Sequence, residues 1–213
     1  MSNLPVQAIR MKWEELASAD ALNAATKALG ANGISAIVVE NGEEAKKKAM
    51  ELIPKGAEVF TVTSTTVASI GLDKEINESG SYASVRKRLS GMDRNTQGKE
   101  MAELGSAPEW VVGSVHAVTE DGSAIIASQT GSQLSSYAYG AQHIIWIVGT
   151  QKIVKDLDEG MRRIYEHSLP LEGERAKKAY GAPGSAVNKL LIVKKEVVPN
   201  RTTMILVKER LGF

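Results

Sequence analysis

The run His143-Ile144-Ile145-Trp146-Ile147-Val148-Gly149 decides the fold class. Between its first and last residues it holds no polar side chain. A strand with one wet face alternates apolar and polar residues. A strand without that alternation has both faces covered, and it belongs in the middle of a parallel sheet.

Outward from this run, β-branched segments alternate with helical spacing. Upstream, Ile34 to Val39, Val59 to Val62, Trp110 to Gly113 and Ser123 to Ser128 read as strands. Downstream, Leu190 to Val193 and Met204 to Val207 do the same. Helices are predicted over Trp13 to Leu29, stopped by Gly30 and Gly33, and over Glu43 to Ile53, ended by Pro54. Others begin at Val67 to Ile70 and cover Leu134 to Tyr139, Glu172 to Ala179, and Ile153 to His167, with Pro170 just past the end of the last. Residues 73 to 97, with Gly80 and Gly91 among many charges, read as short helices and loops. Strands alternating with helices imply βαβ units with right-handed crossovers. The expectation is an α/β protein with a mainly parallel sheet flanked by helices. It is read as one domain over residues 1–213, with an N-terminal helical segment over about residues 1–31.

Composition narrows the function classes. The 213 residues are 43% hydrophobic and 24% charged, with a formal net charge of +1. That balance gives no general attraction to nucleic acid or an anionic membrane. Lys46-Lys47-Lys48 lies in a helical pattern and reads as a solvated face. The chain has no cysteine, so a thiolate nucleophile, a disulfide and a Cys-held zinc or iron–sulfur cluster are excluded for it. The start Met1-Ser2-Asn3-Leu4-Pro5 has no leader pattern, and no apolar run approaches a membrane span. A cytoplasmic protein is expected.

Ligands of open α/β sheets sit beyond the carboxyl ends of the strands, so the strand-to-helix turns carry the candidates. Thr63-Ser64-Thr65-Thr66 offers hydroxyls and backbone N–H groups to a phosphate or carboxylate. Ser and Thr are equally good helix N-caps without any ligand, and the two readings stand level. Glu120-Asp121-Gly122 puts two carboxylates beside a glycine turn, where one could act as general base. Acidic pairs in turns more often serve the turn itself. In Thr130-Gly131-Ser132-Gln133, Gly131 permits close approach of a ligand or an ordinary tight turn, and Ser132 can cap a helix. His143 begins a strand and His167 ends a helix, whereas His116 lies nearer the crevice. No HExxH, GxGxxG, P-loop or GxSxG pattern occurs, so neither a metal nor a nucleotide cofactor is indicated. Trp13, Trp110 and Trp146 read as core or interface residues. Trp13 is a candidate interface anchor for self-association.

Several stretches together resemble the LUD (lactate utilisation) domain family. Ser114-Val115-His116-Ala117-Val118-Thr119-Glu120-Asp121-Gly122 resembles its S-V-N-A-V-T-E-D-G stretch. Val148-Gly149-Thr150-Gln151-Lys152-Ile153-Val154-Lys155-Asp156-Leu157 resembles its V-G-x-N-K-I-V-x-D-L segment. Met92 to Gln97, Arg162-Arg163-Ile164, Pro199-Asn200-Arg201 and Leu206 to Phe213 follow in the family's order. His116 stands where the family has Asn, Gln151 replaces another Asn, and Ser132-Gln133 replaces a frequent Asn-Arg. The cysteine-rich segment of larger members is replaced here by Tyr180 to Ser185.

The resemblance implies a fold similar to ribose-phosphate isomerases and CoA transferases. It implies anion binding by Thr63, Ser64, Thr65 and Thr66, with Lys152 adding positive charge. It implies acid–base or nucleophilic roles for Glu120 and Asp121, and ligand contacts from His116, Gly122, Gly131, Ser132 and Gln133. It further implies a part in lactate or organic-acid utilisation beside iron–sulfur partner proteins. Two alternatives stay open: an independent isomerase or transferase acting on a sugar phosphate or CoA ester, and a non-catalytic metabolite sensor or scaffold.

Overall fold

In the computed structural model, which describes residues 12–181 and 183–213, six strands form one sheet with every neighbouring pair parallel. Numbered along the chain, the spatial order is β1 (Ser35–Val39), β10 (Thr202–Val207), β7 (His143–Gly149), β4 (Trp110–Gly113), β2 (Glu58–Thr61) and β3 (Ala83–Ser84). Alternate residues of β7 enter two separate apolar clusters. Ile144, Trp146 and Val148 join one cluster with Leu22 and Leu29 of α1 (Ala19–Ala31). Ile145 and Ile147 join the other with Ala45 and Ala49 of α2 (Gly42–Leu52). Both faces are covered, which is why the strand tolerates no polar residue.

A second sheet was not legible in the sequence. It runs β8 (Ile153–Val154), β5 (Ala117–Thr119), β6 (Ala124–Ser128), β9 (Lys189–Val193), with β6 antiparallel to both its neighbours. Its Val118, Ala124 and Ile126 pack in the same cluster as Trp146, so one face of the main sheet is covered partly by strands rather than by helices alone. Residues 73 to 97 are mostly short helices, α4 (Leu72–Glu78), α5 (Val85–Ser90) and the start of α6 (Arg94–Ser106), with β3 between the first two.

Three local expectations are corrected. Trp13 precedes α1 instead of starting it, because Ser18 caps the helix by accepting the Ala21 N–H at 3.2 Å. The Trp13 ring is buried against Ile125, Val154 and Ile164, and its Nε1–H donates to Glu166 at 3.2 Å. Ile153-Val154 pairs with β5 as a strand, and helix α7 (Leu157–Arg163) starts only after its cap, Asp156. Pro170 does not follow a helix end. The chain continues through a π-turn (Ile164–Ser168) into α8 (Leu169–Tyr180), and Pro170 lies in the first turn of α8, where the missing N–H is tolerated. His167 is therefore buried within a long helical run and does not face a helix C-terminus. Residues 1–11 of the expected N-terminal segment lie outside the described residues. No helix among the described residues is long and apolar enough to cross a membrane.

Candidate functional site: a basic cleft at the strand ends

Parallel strands send their carboxyl ends to one edge, and the loops that follow β2, β4 and β7 meet there. They open onto a cleft of about 520 Å³. The β2 loop contributes Thr63 to Thr66, the β4 loop Ser114 to His116, and the turn after β7 contributes Lys152. The end of β6 adds Thr130, Ser132 and Gln133 from the second sheet.

Lys152 is the central feature. Its side chain is 1% exposed. Nζ donates to Thr66 Oγ1 at 2.8 Å, Ser114 Oγ at 3.1 Å and the Val115 carbonyl at 3.3 Å. Three acceptors for three N–H bonds is the geometry of an ammonium ion. Burial, and then the Arg163 charge, holds its pKa well below the usual lysine value. Among the described residues no carboxylate pairs with it. Arg163 is also fully buried, donates to the His116 carbonyl at 2.6 Å and to Ser168 Oγ at 3.2 Å, and leaves Nε and Nη2 without a protein partner. Its own pKa is pushed down to about 10 by burial. Two basic side chains have thus been taken out of water, and among the described residues neither pairs with a carboxylate, a costly arrangement and one typical of functional sites.

His116 shows how a departure from the family pattern is accommodated. Its Nδ1 accepts the Ala127 N–H at 3.1 Å. An asparagine carries its side-chain oxygen at the same reach, so either residue can close this contact. With Nδ1 occupied as acceptor, Nε2 carries the proton and can donate. Burial, then Lys152 and Arg163, pushes the imidazole pKa down to about 3, which keeps it neutral. Gln151, the second replaced Asn, is buried and donates to the Leu211 carbonyl at 2.9 Å.

The hydroxyl loop divides its work. Ser64 caps α3 (Thr65–Ser69) by accepting the Val67 N–H at 3.3 Å, so its side chain serves the helix. Thr66 bridges Lys152 and the Leu211 carbonyl. Thr63 Oγ1 accepts from Arg86 Nη2 at 3.2 Å. Among the described residues the side chain of Thr65 has no hydrogen-bond partner.

Eight of the sequence candidates meet at the cleft: Thr63, Ser64, Thr65, Thr66, His116, Ser132, Gln133 and Lys152. Glu120, Asp121, Gly122 and Gly131 do not line it. Asp121 accepts from Thr119 Oγ1, and from Ser123 Oγ at 2.9 Å, and its carbonyl accepts from Asn32 at 2.9 Å. This is turn chemistry against the end of α1. Gly122 has φ +82°, and a Cβ there would meet the Ala28 carbonyl carbon at 2.7 Å and Leu29 N at 2.8 Å. We expect Gly122→Ala to destabilise the fold by about 1–3 kcal/mol in urea denaturation, with ligand affinity unchanged. Gly131 at φ +87° faces the Lys189 side chain.

Sequence reasoning missed Arg86, Arg94, Ser114 and Arg175, all of which line the cleft. Arg94 and Ser114 lie inside stretches quoted above for their resemblance, but nothing in their spacing marks them as site residues. The single acidic side chain lining the cleft is Glu172, and Arg175 holds it in a two-point ion pair at 2.7 Å for both contacts. The cleft is therefore basic and rich in hydroxyls, and among the described residues its one acidic side chain is already paired. Among the described residues no group of three His, Asp or Glu side chains is placed to hold a metal ion.

A parallel sheet flanked by helices, with a cleft at the carboxyl ends of its strands, defines the class: an α/β protein. The family model described as the LUD domain matches residues 22–207, and the chain belongs to that family. A crystal structure of a DUF162 family protein from Deinococcus radiodurans is similar in fold, with a TM-score of 0.55 and 13% identity, over 91% of this chain and 99% of that one. No curated protein matches the chain.

Proposed function

We propose that the cleft binds a small anionic metabolite and that the protein serves lactate or organic-acid utilisation through it. The observation that carries this reading is Lys152, a buried basic side chain that pairs with no carboxylate side chain among the described residues, at a hydroxyl-lined cleft. An anion in the cleft would supply the missing charge in a low-dielectric site, where the attraction is strong. Cytoplasmic iron–sulfur partner proteins and self-association belong to the same reading, by analogy with the family. A sensor or scaffold would use the same cleft. An isomerase or transferase would need a base, and Glu172 is engaged by Arg175 while Glu120 and Asp121 stand elsewhere.

The test is a thermal-shift panel of lactate, pyruvate, sugar phosphates and CoA thioesters at low ionic strength. A ligand at about 100 times its Kd adds roughly 2.7 kcal/mol of stability. The expected hit is an anion, its effect reduced by Thr65→Ala and screened by salt. Silence across the panel counts against the anion reading and favours a partner-binding role.

A further inference from the structure

The cations of the cleft are not gathered at one point. Lys152 meets the hydroxyl loop at Thr66, its C-terminal end. Arg86 meets it at the other end, with Nε donating to the Thr61 carbonyl at 2.7 Å and Nη2 to Thr63 Oγ1 at 3.2 Å. Arg94, the first residue of α6, also lines the cleft. Among the described residues neither Arg86 nor Arg94 has a carboxylate in an ion pair. Thr63 and Thr66 are three residues apart, so the two basic ends are separated by at most about 11 Å along the loop.

The ends also differ in chemistry. The inner end offers a buried ammonium and a neutral imidazole donor. The outer end offers the Arg86 guanidinium, Arg94 adds a second guanidinium to the cleft lining, and a guanidinium matches the bidentate geometry of phosphate better than an ammonium does. Arg86 is fixed by its two hydrogen bonds, so little freedom is lost when a ligand arrives. Phe60, whose ring centroid lies 5.8 Å from the Arg86 guanidinium carbon, and Val62 add an apolar part to the cleft lining. The volume, about 520 Å³, lies within the range of roughly 300–1,000 Å³ that holds ligands much larger than a three-carbon acid.

We propose that the cleft is two-ended and selects an elongated ligand with an anionic group at each end, a phosphorylated carboxylic acid. The carboxylate lies toward Lys152 and His116, and the phosphate toward Arg86 and Arg94. This inference rests on the anion-binding reading and names the ligand class for the same site. Lactate alone would engage only the inner end.

The test compares two phosphorylated acids of different span with their unphosphorylated counterparts: 3-phosphoglycerate against D-glycerate, and 6-phosphogluconate against D-gluconate. Binding is measured by calorimetry on the full chain and on Arg94→Gln, an exposed position whose replacement leaves the core intact. At least one phosphorylated acid is expected to bind about tenfold or more tighter than its counterpart, as for hydrogen bonds to a charged group. Arg94→Gln is expected to remove most of that advantage without changing the affinity for the unphosphorylated acid. If each pair binds equally, in both proteins, the two-ended cleft is wrong while anion binding stands. If a phosphorylated acid binds tighter but Arg94→Gln leaves its advantage intact, the assignment of the outer end is overturned. If none of the four binds, the phosphorylated-acid class is overturned, and the anion reading is decided separately by the panel of lactate, pyruvate, sugar phosphates and CoA thioesters.

Discussion

Lys152→Met is expected to abolish anion-induced stabilisation while leaving the protein at least as stable as before. Methionine has nearly the length of lysine and needs no hydrogen bond. The groups that Lys152 contacts keep other partners: Thr66 Oγ1 reaches the Leu211 carbonyl at 3.2 Å, and Ser114 Oγ the Val115 carbonyl at 3.3 Å. The substitution therefore removes the cost of a buried charge without stranding a polar group. Apolar replacement of buried ions is commonly neutral or stabilising, here by up to about 3 kcal/mol. Ligand affinity should fall by about 100-fold, the usual scale for losing a desolvated charge partner. Urea denaturation and ligand-induced thermal shift measure the two effects separately. A variant that keeps its ligand response would remove Lys152 from the site.

The same lysine sets a pH dependence. Its folded pKa lies well below its unfolded value, so between the two the unfolded chain binds the extra proton. Stability must then rise as pH climbs through that window toward 10.5. The penalty is fully present below the folded pKa. Lys152→Met should lose this alkaline rise, which a pH series of denaturation midpoints will show.

The second large effect concerns stability alone. Arg201 is a buried hub. Its Nη1 pairs with Glu196 at 2.7 Å, Nε donates to the Ala141 carbonyl at 2.8 Å, and Nη2 to the Ser136 and Tyr137 carbonyls at 3.1 and 3.2 Å. Glu196 also accepts from Thr202 Oγ1 at 3.1 Å, and its N–H donates to the Asn32 carbonyl at 2.8 Å. This network fastens the segment between β9 and β10 to the end of α1 and to the π-turn (Ser136–Gly140). Arg201→Met strands the Ala141 and Tyr137 carbonyls, while the Ser136 carbonyl keeps the Ala141 N–H at 3.1 Å, and it leaves a buried carboxylate without its cation. The expected loss is about 3–5 kcal/mol, or roughly 10 °C in Tm for a chain of this size. Glu196→Leu combined with Arg201→Met should cost less than the sum of the single changes, because the orphaned charge is gone. Additive losses would show that the pair acts through packing instead.

Much of the fold was legible. The unbroken apolar run of β7 begins and ends where the sequence reading placed it, because a doubly covered strand has no competing pattern. Ile153-Val154 was misread because two apolar residues before Leu157 fit helical spacing as well as they fit a strand. Only pairing with β5 distinguishes the states. β5 itself has three residues, too few to show a period.

The site was legible where it depends on strand ends and not where it depends on approach from elsewhere. Thr63 to Thr66 and Lys152 follow strands directly, so reading the strands located them. Glu120 and Asp121 have the chemistry of catalytic carboxylates, but neither lines the cleft, and Asp121 is held in the β5–β6 turn beside the end of α1. Arg86 and Arg94 come from short helices in the segment least readable as a pattern, and nothing local aims their side chains.

The sequence by itself determined that this is an α/β protein with a buried parallel strand at its centre, that it lacks cysteine chemistry, and which hydroxyl loop follows β2. Those properties depend on residue type and short-range periodicity. Tertiary structure alone decided that, among the described residues, no carboxylate pairs with Lys152, that Glu120 and Asp121 do not line the cleft, and that Arg86 and Arg94 do. Charge compensation is a property of what surrounds a group in space, and its neighbours here lie as many as 86 residues away in the chain.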